Sequence, residues 1–163
     1  MFWINDNPWV TRCTQEDAVM LSDTSKRIDI SGPNKEISVH DGIVRGNRVY
    51  FTTVDAHIVI ADTQTFEVLE TINISAIEGL KTIRGWCRGL YIQDDIFYIG
   101  FSRLRKTKQS NKISWIKNLA TGRTLVEECS VLAFDITKRK IINSYSIPDA
   151  MIDAIYSILP EPG

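Results

Sequence analysis

Gly42-Ile43-Val44-Arg45-Gly46-Asn47-Arg48-Val49-Tyr50-Phe51-Thr52-Thr53-Val54-Asp55-Ala56-His57-Ile58-Val59-Ile60-Ala61-Asp62-Thr63-Gln64-Thr65-Phe66-Glu67-Val68-Leu69-Glu70-Thr71-Ile72 parses into strands separated by turns. Gly46-Asn47 is the first turn, because both residues tolerate positive φ. Arg48 to Thr53 is rich in β-branched and aromatic residues, as strands are. Asp55-Ala56 turns the chain again, and Ile58 to Ala61 is a third strand. Asp62 to Thr65 supplies side chains that bond nearby backbone amides in a turn. Phe66 to Ile74 then alternates apolar and polar residues, the mark of a half-exposed strand.

The same phrase occurs elsewhere. His57 to Thr63 is echoed by Ala18-Val19-Met20-Leu21-Ser22-Asp23-Thr24 and by Ser130-Val131-Leu132-Ala133-Phe134-Asp135-Ile136-Thr137. Each copy is an apolar run ending in Asp, followed by a polar turn and a second apolar run. Around the third copy, Gly89 to Ile92, Ile96 to Phe101, Val131 to Phe134 and Lys140 to Ile147 repeat the four-strand order, with a long insertion after Phe101. Four antiparallel strands in about forty residues, repeated, are the pattern of a β-propeller blade. The expected fold is therefore all-β: four-stranded blades, about three of them, in an incomplete ring.

The residues 1–163 read as a single partial propeller domain. Blade one is expected from 1–30, with Phe2-Trp3-Ile4 as a second strand and 154–158 supplying the first. Blade two is 38–74, and blade three is 86–147 with the insertion 103–127. Rings typically need four or more blades. The chain is therefore expected either to be one section of a longer propeller or to combine as a homodimer into a six-bladed ring.

Arg48-Val49-Tyr50-Phe51-Thr52-Thr53, Ile58 to Thr63 and Glu67-Val68-Leu69-Glu70-Thr71-Ile72 resemble the YVTN-type repeat of quinoprotein-like β-propellers. That family shows a V-Y-V-T-N strand, a V-x-V-I-D-T turn and a V-x-x-T-I strand. The resemblance covers about two thirds of the chain and implies a propeller. It transfers no activity, since propellers serve enzymes and scaffolds alike, and no metal or quinone ligands of related folds match positions here.

Composition limits the function classes. The formal net charge of -1 argues against a field that gathers nucleic acid. No apolar run reaches the length that spans a bilayer, and the first residues lack a signal peptide's basic start and apolar core. Cys13, Cys87 and Cys129 form an odd set without paired spacing, which favours reduced thiols and a cytoplasmic location.

In a blade the tight turns fall on one face and the long loops on the other. Asn5 to Gln15, Asn34 to Asp41, Asn73 to Arg88, Arg103 to Glu127 and Pro148 to Asp153 make the second face the candidate. Asp41, Arg88 and Asp153 each sit at the entry to an innermost strand, at equivalent places around the axis. They are candidates for a small polar or anionic ligand, with Trp86, Arg103 and Arg105 assisting. The plainer alternative is that the acids cap turns while Arg88 bridges blades. His40 with Asp41 and Asp153 is a candidate divalent-metal set, or His40 a general base. His57 reads as structural.

The insertion carries Arg103, Arg105, Lys106, Lys108, Lys112, Lys117 and Arg123 around Trp115, either a grip for an acidic partner or a solvated loop. Three functions stay open: a binding module for a small ligand or protein partner on the long-loop face, a hydrolase or lyase using His40 and axial carboxylates, and an interaction scaffold.

Overall fold

Each Asp that ends a repeated phrase shapes the turn after it. Asp62 Oδ1 accepts hydrogen bonds from the amides of Gln64 (2.7 Å) and Thr65 (2.9 Å). Asp135 Oδ1 accepts one from Lys138 (2.8 Å), and Asp23 Oδ1 one from Ser25 (3.2 Å). Turn amides left without ladder partners are satisfied locally in this way. The repetition therefore has a structural cause: the same hairpin is built in the same place of successive sheets.

The computed structural model describes residues 1–31, 38–77, 82–103, 124–125, 128–148 and 152–160. They form three four-stranded antiparallel sheets, the blades of an incomplete propeller. The first contains β1 (Phe2–Ile4), β2 (Asn7–Arg12), β3 (Asp17–Met20) and β4 (Arg27–Asp29). The second contains β5 (Val39–Arg45), β6 (Arg48–Thr53), β7 (His57–Asp62) and β8 (Val68–Asn73). A 3₁₀ turn at Ile74–Ala76 and β9 (Thr82–Ile83) follow. The third sheet contains β10 (Cys87–Gln93), β11 (Ile96–Phe101), β13 (Cys129–Asp135) and β14 (Lys140–Ile147). The short strand β12 (Thr124–Leu125) pairs in parallel with β9. Among the described residues no helix is long and apolar enough to cross a membrane.

The middle sheet is covered on both sides, which is why residues 58–61 are an unbroken apolar run. Val59 and Ala61 pack with Phe2, Trp9, Met20 and Ile28 of the first sheet. Ile58 and Ile60 pack with Phe97, Ile99, Leu132 and Phe134 of the third. Aromatic rings tie the seams: Phe2 meets Phe51 edge-on at 5.6 Å, and Tyr50 meets Phe97 edge-on at 5.0 Å. The first strands are neighbours, β1 beside β5 and β5 beside β10, so the sheets fan out from a common inner edge.

Two expectations about the chain ends are corrected. Phe2–Ile4 is a first strand, not a second, because Asn5 and Asp6 both adopt positive φ (47° and 61°) and reverse the chain at once into Asn7–Arg12. The first sheet thus takes all its strands from residues 2–29, and 154–158 does not complete it. The segment 152–160 carries no strand and lies along the third sheet. Ile155 N donates to Ser102 Oγ (3.1 Å), and Arg103 N donates to the Asp153 carbonyl (3.2 Å). On the outer face of the first sheet Arg12 lies over Asp17. Asp17, 1% exposed, takes two hydrogen bonds from Arg12, at 2.8 and 2.6 Å.

Candidate functional site

The inner strands of the second and third sheets are both bulged. Val39 pairs with Thr53 and Gly42 with Phe51, leaving His40 and Asp41 opposite Thr52 alone. Cys87 pairs with Phe101 and Leu90 with Ile99, leaving Arg88 and Gly89 opposite Gly100. A bulge puts two residues against one, frees backbone groups from the ladder and re-aims side chains. By register, Arg88 is the counterpart of His40, and Gly89 that of Asp41. The expected equivalence of Asp41 with Arg88 is therefore off by one residue.

The freed backbone groups are taken across the seams. Thr11 Oγ1 of the first sheet donates to the His40 carbonyl (2.7 Å). Asp41 Oδ2 accepts the Gly89 amide (2.6 Å), and the Val54 carbonyl accepts the Cys87 amide (3.3 Å). Gly89 has φ +77°, which favours glycine, and Gly100 faces the Arg88 carbonyl so closely that a Cβ would lie 2.4 Å from it.

Arg88 is half-buried, and its guanidinium lies over two rings, Trp86 at 5.2 Å and Tyr156 at 5.5 Å. Its Nε is buried without a hydrogen-bond partner among the described residues. So are His40 Nε2 and Thr52 Oγ1, on the two sides of the neighbouring bulge. Burial, with the nearby Arg88 charge, holds the His40 imidazole below its ordinary pKa, so it is neutral at neutral pH. Burial pushes the Asp41 carboxyl up. It also pushes up the Cys87 thiol, fully buried and near Asp41, so this cysteine is no nucleophile.

His40, Asp41, Arg88, Trp86 and Gly89 thus belong to one region, joined by Tyr156 and Gly100, which the sequence does not single out. The signals for these were faint: a glycine inside a strand pattern and an aromatic in the last apolar run. Asp153, 66% exposed at its side chain, is paired instead with Arg103 (3.3 Å). Among the described residues no three His, Cys, Asp or Glu side chains could hold a metal ion, so His40, Asp41 and Asp153 are not brought together as a ligand set. Arg105, Trp115 and most of the basic insertion lie outside the described residues. His57 is structural in its contacts: Nδ1 lies 3.0 Å from Asp55 Oδ2, and its amide donates to Thr53 Oγ1 (3.0 Å).

No family model matches the chain, and no curated protein does. Among solved structures it is similar to the dihydro-heme d1 dehydrogenase NirN in complex with DHE (9% identity, TM-score 0.47, 85% of this chain and 25% of that one). It is also similar to apo AztD from Citrobacter koseri (13% identity, TM-score 0.39, 80% and 28%). A third is the Cps50 (Swd1) beta-propeller domain from Myceliophteria thermophila (12% identity, TM-score 0.31, 81% and 55%). The chain spans about a quarter of the length of the first two. The blade assignment rests on the sheet order and register above.

Proposed function

We propose that the paired bulges form a binding site for a small polar or anionic ligand at the inner edge of the blades, with Arg88 as its anchor. One observation carries this reading. The Arg88 guanidinium is half-buried over Trp86 and Tyr156, and its buried Nε has no hydrogen-bond partner among the described residues. A buried donor on a cation without an acceptor is costly, and a carboxylate or similar anion meeting the guanidinium's in-plane fork removes that cost. Trp86 and Tyr156 are both exposed, so the surroundings of Arg88 are open to a solute.

The hydrolase or lyase reading draws on His40 in the same region, because a neutral imidazole with a free Nε2 is suited to accept a proton. Binding is preferred, since among the described residues no second group is hydrogen-bonded to that imidazole to orient it as a base. Function as a section of a longer propeller, or as a protein-binding scaffold, is compatible with the same site.

The test is titration of the protein with propionate, followed by NMR on the Trp86 indole resonance. Saturable shifts in the wild type and none in Arg88→Gln support the site. Equal shifts in both proteins refute it.

A further inference from the structure

We infer that the preferred ligand is a zwitterion, a small amino-carboxylate whose carboxylate meets Arg88 and whose ammonium meets Asp41. This rests on the binding reading above and specifies its chemistry. Asp41 spends one carboxylate oxygen on the Gly89 amide; its other oxygen, Oδ1, has no hydrogen bond among the described residues. Gly89 follows Arg88 directly, so the Asp41 carboxylate and the Arg88 side chain, with its unpartnered Nε, belong to one backbone bulge. Two positive charges act on the Asp41 carboxyl, the chain's own N-terminal ammonium first and the Arg88 guanidinium after it, so a ligand's ammonium would join the N-terminus there.

Charge balance then selects the ligand. A plain carboxylate is drawn to Arg88 and repelled by Asp41. A plain amine meets the opposite pair. Only a molecule carrying both signs is attracted at both ends. His40, neutral beside them, adds a hydrogen-bonding atom without adding charge. The guanidinium carbon lies 5.2 Å from the Trp86 ring and 5.5 Å from the Tyr156 ring, and a planar carboxylate is the partner that matches a guanidinium's donor fork.

The experiment compares glycine, β-alanine and 4-aminobutyrate with propionate and propylamine, by the Trp86 indole shift in the intact chain. The best amino acid of the series, which also reports the charge separation, is expected to bind about tenfold or more tighter than propionate. Asp41→Asn retains an oxygen for the Gly89 amide and removes the charge. It is expected to bring the best amino acid to within about twofold of propionate, while Arg88→Gln abolishes both.

If propionate binds and is lost in Arg88→Gln, but no amino acid binds tighter, the site stands and the zwitterion proposal falls. If the preference survives in Asp41→Asn, Asp41 is not the ammonium partner and the proposal falls again. If no probe shifts the indole, both fall together. Should Asp41→Asn not fold, N-acetyl-β-alanine answers on the wild type. Its nitrogen is uncharged, so it must bind no better than propionate, and tighter binding overturns the proposal.

Discussion

The Gly89 amide donates to the Asp41 carboxylate across the seam between the second and third blades, at 2.6 Å. Each residue is the second member of a bulge, so one irregular strand satisfies the other. Asp41→Ala leaves that amide without its partner and is expected to destabilise the fold by about 1–3 kcal/mol, with Asp41→Asn recovering most of the loss. Urea unfolding of the two variants at neutral pH checks this. Equal stability of Asp41→Ala and wild type would show that the seam does not depend on the bond.

His40 gives a pH signature. Its pKa is lowered in the folded chain, so between that value and the ordinary one of about 6.5 the unfolded chain binds the proton that the folded chain refuses. Stability is therefore full above about 6.5 and falls as pH drops through the lowered value. His40→Gln is expected to flatten this part of the profile. Denaturant midpoints from pH 8 to 5, wild type against variant, give the difference directly.

Two glycines separate contact from conformation. A Cβ at Gly85 would lie 1.6 Å from the Ser102 carbonyl oxygen, a backbone atom that cannot swing aside. Gly46, at φ +59°, has nothing within 4 Å. Gly85→Ala is expected to cost more than about 3 kcal/mol or prevent folding, and Gly46→Ala about 1 kcal/mol. Thermal melts distinguish them, and a Gly85→Ala protein as stable as Gly46→Ala would contradict the packing of β10 against the end of β11.

The tryptophans sort by seam. Trp9 is 0% exposed between the first two sheets, packed on Phe66 at 4.9 Å, whereas Trp3 is 57% exposed on the outer face. Trp9→Ala is expected to cost about 3–5 kcal/mol and Trp3→Ala within about 0.5 kcal/mol. Fluorescence-detected unfolding of each variant reads both numbers.

The blades were legible in the sequence because hairpin chemistry is local. Gly46-Asn47 and Asp62 to Thr65 act within a few residues, and the apolar run 58–61 reports a sheet covered twice. The first blade departs from its expectation for an equally local reason: Asn5-Asp6 reads as the start of a long loop, although it is a two-residue reversal. The site was half legible. Arg88, Asp41, His40 and Trp86 stand out as ionisable or aromatic residues before a strand. The bulges that bring them together are set by register with β6 and β11, which no single segment encodes. Tyr156 reaches Arg88 from 68 positions away in the numbering, a contact made by tertiary packing alone.

The ribbon that carries Tyr156 is fastened to the third sheet by bonds of Ser102 to Ile155, Arg103 to Asp153 and Cys129 to Ile152, and it belongs to no ladder. On the proposed binding reading, recognition and architecture are separable at one peptide bond. Cleavage just before Ile152 would strip one of the two rings from the arginine and bare Gly89 and Gly100, while every strand kept its neighbour. An engineer wishing to tune affinity without touching the sheets would begin with that ribbon.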